Sequence, residues 1–236
     1  MAEAAARLVA ARFVARPNRF IVRARLGHGS EVKAHLADPG RLEELLLPGA
    51  PLRLRPAPPS STRKTRYTVA LVQSPQPPRA WVSVETARAN DLAETVLRNG
   101  SLRCVGTGWN IRREVRCGNS RFDFLLEKES EKLWVEVKSV TYAERGIARF
   151  PDAPTARGRR HVEELVNRIR AGDRALVLFL VQRGDVRFVT PHTEIDPAFT
   201  DVLRSAKRSG LLVAAARFAF DIQGAPEYRG TVRLRL

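Results

Sequence analysis

Ser120-Arg121-Phe122-Asp123-Phe124-Leu125-Leu126, then the charged stretch from Glu127 to Lys132, then Leu133-Trp134-Val135-Glu136-Val137-Lys138, is the passage on which the reading of this chain turns. Two apolar runs of strand length joined by a short polar stretch make an antiparallel hairpin. Side chains alternate between the faces of a strand, so Glu136 and Lys138 leave by one face. If Leu126 pairs with Leu133, Asp123 stands opposite Glu136 and Arg121 opposite Lys138, and facing Cβ atoms lie about 4.5–5.5 Å apart. Two carboxylates at that distance repel unless a cation sits between them or one takes a proton. Mg²⁺ or Mn²⁺, hard ions that prefer oxygen, would relieve the conflict with Asp123 and Glu136 as metal ligands. Lys138 would then orient a water or neutralise a phosphate, completing a catalytic set of Asp123, Glu136 and Lys138. The competing reading is a solvated strand face bearing an ordinary Glu-x-Lys pair. A register slip of one residue would turn Asp123 to the other face.

Charge decides which partner to weigh. The chain of 236 residues carries 41 Lys and Arg against 25 Asp and Glu, a net charge of +16. Residues 1–84 hold 14 basic and 5 acidic residues and residues 85–236 hold 27 and 20, so the first third is the more basic per residue. A polyanion is the natural partner, DNA most simply and RNA as the alternative, set against a merely solvated basic surface. No apolar run reaches the length of a membrane span, so no membrane partner is expected. Met1 to Arg16 lacks a continuous apolar core and carries Glu3, Arg7, Arg12 and Arg16, which argues against a signal peptide. With two cysteines, Cys104 and Cys117, the expectation is a cytoplasmic protein with free, buried thiols, which as a DNA binder would sit with the nucleoid. The scattered histidines and cysteines make no zinc cluster. A homodimer is left open.

Two regions differ in pattern. From Phe13 to Val84 the chain reads as short strands: Phe20–Leu26 and Ser30–Leu36 about the turn Gly27-His28-Gly29, then Pro51–Arg55, Arg66–Gln73 and Trp81–Val84. A short helix is expected over Gly40–Gly49. Five strands with one inserted helix fit an OB-like barrel, with an SH3-like barrel as the alternative. After it come a helix over Ala89–Asn99, strands over Arg112–Cys117, Arg121–Leu126 and Leu133–Ser139, and a helix over Ala156–Ala171. The apolar run Ala175–Gln182 reads as a buried parallel strand. A strand over Asp185–Thr190, a helix over Pro197–Ser209 and a strand over Leu211–Phe220 complete a mixed α/β domain. The expected division is 1–84, an OB-like DNA-binding domain, and 85–236, an α/β domain with a mixed sheet.

Arg16, Arg19, Arg41, Arg63 and Lys64 fall in turns or at element ends of the barrel, which suits phosphate contacts that carry no sequence information. Arg157 and Arg159 fall at the start of a helix, where anions are favoured. The alternatives are ordinary surface charge and, at the helix, Thr155 as a cap beside solvated arginines.

The motifs Ser120–Leu126, Glu136-Val137-Lys138-Ser139-Val140-Thr141, Phe150-Pro151-Asp152-Ala153, and Thr155 with Arg157-Gly158 and His161 together resemble the sugar fermentation stimulation protein A family. Ala34-His35-Leu36, Pro39-Gly40-Arg41-Leu42, Arg63-Lys64-Thr65 and Ala89-Asn90 extend the resemblance over nearly the whole chain, with Asp38 where the family pattern has Asn. The resemblance implies a prokaryotic protein with an OB-like N-terminal domain and a C-terminal domain like the PD-(D/E)xK nucleases. It implies DNA binding without strong sequence preference and a link to the regulation of sugar metabolism. By position Asp123, Glu136 and Lys138 match the nuclease signature, and Glu94, with Glu114 as the alternative, would supply its additional helix acid. Two functions remain to be separated: a metal-dependent nuclease, and a non-catalytic DNA-binding regulator that keeps the fold.

Overall fold

The computed structural model describes residues 7–236, so part of the stretch weighed as an export signal lies outside the described residues. The chain divides into two units. The first runs to Ala87 and includes the later segments Gln182–Asp185 and Phe218–Tyr228; the second holds Arg88–Val181, Val186–Arg217 and Arg229–Leu236.

The first unit is built on β1 (Val9–Asn18), β2 (Ile21–Leu26), β3 (Glu31–His35), β4 (Pro51–Pro56), β5 (Tyr67–Gln73) and β6 (Trp81–Ser83). The strands run in the order β3-β2-β1-β4-β5-β6, and a parallel pairing of β3 with β5 through Ala34–Tyr67 and His35–Thr68 closes the first five into a barrel. Closure leaves each barrel strand paired on both sides, which removes free sheet edges. Alternation fixes what faces inward: Val22, Ala24 and Leu26 are buried, while Arg23 and Arg25 point outward and both pair with Glu31 at 2.6 and 2.8 Å. The five-strand expectation is corrected in membership. β1 was not foreseen, because its arginines and Pro17 hide its alternation, and β6 lies beside the barrel rather than in it.

The helix expected over Gly40–Gly49 is not formed. Leu42 adopts a left-handed φ of +52°, which no helix accommodates, and the segment closes as turns. Its apolar residues still do the work expected of such a helix: Leu42, Leu45 and Leu46 are buried in the barrel core. Asp38, buried just before it, accepts the Gly40 amide at 2.8 Å.

In the second unit α1 (Thr86–Arg98) leads to β7 (Asn110–Cys117), β8 (Ser120–Lys128) and β9 (Glu131–Val140). Then come β10 (Ala143–Glu144), β11 (Ile147–Phe150), α2 (Ala156–Arg170), β12 (Arg174–Val181), β13 (Phe188–Pro191), α3 (Pro197–Arg208), β14 (Leu212–Phe220), β15 (Pro226–Thr231) and β16 (Arg233–Leu234), of which the end of β14 from Phe218 and the start of β15 up to Tyr228 are counted with the first unit. The main sheet has the order β15-β14-β12-β9-β8-β7. It is mixed: β12 lies parallel to both β9 and β14, and β8 is antiparallel to its two neighbours. The apolar run Ala175–Val181 is fully buried in β12, as a near-continuous apolar run in a parallel strand implies. A small sheet, β10-β11-β13-β16, takes the strand expected over Asp185–Thr190, which begins only at Phe188, and adds elements too short to carry a periodic signal. Phe122, Trp134, Val162, Leu165, Phe179 and Phe199 pack into one core. Both cysteines are free thiols, but Cys104 is exposed and Cys117 only half-buried, so their expected burial is corrected: Cys104 lies in the turn after α1, and Cys117 at the end of β7. No helix among the described residues is long and apolar enough to cross a membrane.

One carboxylate sets the position of α2. Thr155 caps the helix by accepting the Gly158 amide at 3.0 Å. A Cβ at Gly158 would stand 2.7 Å from Thr155 Cγ2, so any larger residue there would force the capping side chain to shift. Asp196, itself the cap of α3 through the Phe199 amide at 2.9 Å, also accepts the Thr155 amide at 2.7 Å and Arg159 Nη1 at 2.9 Å. Burial pushes the Asp196 carboxyl up, but the Thr155 and Phe199 amides and the Arg159 charge outweigh it and hold the group below its ordinary value of 3.8. Asp196→Ala removes a cap and strands three donors, at a cost of about 2–4 kcal/mol in urea denaturation. Because the folded state favours the ionised form, this contribution is complete above the ordinary carboxyl value. The difference between wild type and variant should therefore narrow as pH falls below about 4.

Candidate nuclease-like site

β8 and β9 pair as the sequence leads one to expect, with Leu126 facing Leu133 and Phe124 facing Val135. The polar stretch Glu127–Lys132 continues both strands, since Glu127 pairs with Lys132 and Lys128 with Glu131 around a tight turn in which Glu129 takes φ +53°. The ladder then stops one pair short of Asp123 and Glu136. On the other side the β7–β8 ladder passes over Asp123, where the facing Glu114 takes φ +56°. The expected cross-strand pair is thus replaced by a side-chain contact: the Asp123 carboxylate accepts the Val137 amide at 2.7 Å. Arg121 does not face Lys138; it lies exposed and pairs with Glu114 at 2.7 Å.

Glu136 and Lys138 lie on one face of β9, and both are buried. Lys138 Nζ donates to Glu136 Oε1 at 2.7 Å. His161, on the second turn of α2 and buried, places Nδ1 at 2.5 Å from the same oxygen. Glu136 Oε2 is buried with no hydrogen-bond partner. Asp123 has one oxygen on Val137 and the other on Asn90 Nδ2 at 2.8 Å. The two acids are pushed apart electrostatically. Burial, then the charge of Glu136, raise the Asp123 carboxyl above its ordinary 3.8, against the Val137 amide, Asn90 and Lys138. Burial also pushes Glu136 up, but the His161 hydrogen bond and the Lys138 charge win and hold it below 4.5. A solvated Glu-x-Lys face is excluded by this burial.

The helix acid falls elsewhere. Glu94 sits one turn beyond Asn90 on α1 but pairs with Arg98 at 2.6 Å and Arg113 at 2.8 Å, so Asn90 and not Glu94 reaches Asp123. Glu114 is exposed on Arg121. The (i, i+4) spacing of Asn90 and Glu94 puts both on one helix face, so a search for amides as well as acids would have found the residue.

The basic residues differ in exposure. Arg16, half-buried, donates to the backbone carbonyls of Arg41, Arg19 (2.8 Å) and Asp38 (3.4 Å), so it braces a turn. Arg159 is committed to Asp196. Arg19, lying over the Phe20 ring at 4.6 Å, together with Arg41, Arg63, Lys64 and Arg157, is exposed. Arg157 Nε donates toward His161 Nε2 at 3.4 Å.

Residues 87–224 match the family model described as the sugar fermentation stimulation protein RE domain, and residues 14–84 match the SfsA N-terminal OB domain. The chain belongs to the sugar fermentation stimulation protein family. A family homolog from Moorella thermoacetica is 43% identical over 94% of each chain. One from Methanothermobacter thermautotrophicus is 42% identical over 89% of this chain and 85% of its own. The solved structure of Pyrococcus furiosus SfsA in complex with Ca²⁺ is 28% identical and superposes over the full length of both chains with a TM-score of 0.87. The OB barrel and the mixed α/β second domain are the folds of this family.

Among the described residues no three His, Cys, Asp or Glu side chains gather as a metal cage. The donor set nevertheless fits a hard divalent ion. Two carboxylates present oxygen, one of those oxygens is buried and bare, and Mg²⁺-type ions commonly take one or two carboxylates and keep waters in their remaining positions.

Side-chain carbon NMR should find Asp123 titrating above 3.8 and Glu136 below 4.5. Removing the Asn90 hydrogen bond in Asn90→Ala should move Asp123 higher still, Lys138→Met should raise Glu136, and Glu94→Ala should move neither.

Proposed function

We propose that this protein binds DNA without strong sequence preference and cleaves its phosphodiester backbone at Asp123, Glu136 and Lys138 with the help of Mg²⁺ or Mn²⁺. The observation that carries the reading is the buried, unpartnered Oε2 of Glu136 beside Asp123, with Lys138 on the other Glu136 oxygen. A bare carboxylate oxygen in a buried site is costly to maintain, and a ligand that takes it relieves the cost. The Ca²⁺ complex of the Pyrococcus furiosus relative supports a divalent ion in this family. A bound ion would polarise a phosphoryl oxygen and lower the pKa of its water.

The chain's own groups do the rest. Asn90 and the Val137 amide hold the Asp123 carboxylate in place. Lys138, 2.7 Å from Glu136 Oε1, is placed to donate to a water or to a non-bridging phosphate oxygen as negative charge builds there. Arg19, Arg41, Arg63, Lys64 and Arg157 supply backbone contacts, and RNA would satisfy the same chemistry. The second reading is a DNA-binding regulator that does not cut, in keeping with the family's name. It draws support from Lys138, whose ammonium is already engaged by Glu136.

Incubation with single- and double-stranded DNA and RNA in Mg²⁺ or Mn²⁺ separates the two. The enzyme reading expects cleavage that falls by about a thousandfold in Asp123→Ala and Glu136→Ala and by about a hundredfold in Lys138→Ala, with binding retained. Absence of cleavage on every substrate and metal leaves the regulator.

Duplex affinity should fall with salt. Five phosphate contacts give a slope of log K against log salt of about −4 to −5. Single alanine substitutions at Arg63 or Lys64 should each reduce the slope by about one, whereas Arg16→Ala and Arg159→Ala should instead lower the melting temperature.

A further inference from the structure

We infer that His161 is a positioning residue that sets the Glu136 carboxylate so that Oε2 is the oxygen offered to a divalent ion. The inference rests on reading this centre as a metal site and adds a residue and a device to it.

The device is a division of labour between two oxygens of one carboxylate. Lys138 Nζ and His161 Nδ1 converge on Oε1 at 2.7 and 2.5 Å, while Oε2 carries no hydrogen bond. A lysine alone would not enforce this. An ammonium is a point charge on a flexible stem and can shift between two oxygens of one carboxylate. An imidazole on a helix cannot follow such a rotation. His161 is 3% exposed, and its ring meets the Phe122 ring edge-on at 6.0 Å, so its orientation is fixed by packing.

The proton is placed as well. Arginine can only donate, and Arg157 Nε points at Nε2. Nε2 is therefore the acceptor, and Nδ1 carries the hydrogen that goes to Glu136. A carboxylate oriented by a buried imidazole belongs to the outer contacts whose removal typically costs metal sites about 10–100-fold in affinity. α2, held in place through Thr155, Asp196 and Arg159, thereby reaches a centre whose acids come from β8 and β9.

The test is Mn²⁺ binding by calorimetry on the whole protein, without nucleic acid. It compares His161→Asn, whose amide nitrogen can stand where Nδ1 stands, with His161→Gln, whose amide reaches the Nε2 position. Both variants are polar and similar in bulk, so a loss of fold would not separate them, and melting temperatures in EDTA report the fold directly. The Asn variant should bind within about threefold of wild type, and the Gln variant about 10–100-fold more weakly. Leu165→Ala, a cavity one turn further along α2, should lower the melting temperature and leave Mn²⁺ affinity unchanged. Equal affinity in the Asn and Gln variants, or a loss in Leu165→Ala as large as in Gln, overturns the positioning role while leaving the metal site standing. A wild-type protein that takes up no Mn²⁺ overturns both.

Discussion

A carboxylate buried in the middle of a sheet must be compensated, and the arrangement around Glu136 follows from that need. β9 is an interior strand between β8 and β12, and every residue from Leu133 to Lys138 is buried, on both faces of the sheet. Desolvation there opposes the charged form of Glu136, and only the Lys138 ammonium and the His161 hydrogen bond reverse it. Both act on one oxygen. The neighbouring Asp123 has no cation as a direct partner, only an amide and a carboxamide, and its carboxyl is pushed the opposite way. Two acids kept apart in proton affinity by their surroundings are a common basis for divided chemical roles.

The rest of the second unit serves that geometry. The sheet can hold Asp123 near Glu136 because pairing fails on both sides of it, through the left-handed Glu114 and the early end of the β8–β9 ladder. The helix that supplies His161 is set by a capping threonine, a glycine packed closely against it, and a carboxylate shared between two helix starts. The barrel of the first unit is independent in its logic: alternation buries one face and β3–β5 pairing closes the ring.

Much of this was legible along the chain. The hairpin register followed from matching two apolar runs, and the all-apolar β12 announced a strand buried on both faces. The barrel was legible as a set of short alternating strands, though one member was missed because Arg12, Arg16 and Pro17 mask the alternation of β1. The segment at Gly40–Gly49 has a helix's composition, but a single left-handed leucine turns it into a plug of turns. Net charge pointed to a polyanion, yet it could not tell Arg63, which faces solvent, from Arg16, which braces a turn, or Arg159, which holds Asp196.

The sequence by itself determined the periodicities, and with them the strands, the helices and the face shared by Glu136 and Lys138, because those depend on neighbours within a few residues. Only the tertiary structure decided which side chains meet there. Asn90 lies 33 residues from Asp123 and His161 lies 25 from Glu136, separations that carry no spacing rule. It also decided that Glu94 is spent on arginines and that one oxygen of Glu136 is left bare. Local pattern fixes where a side chain points from its own strand or helix. What it meets is fixed by the packing of elements distant in the chain, and in a buried site that meeting sets the charge, the hydrogen bonds and the chemistry.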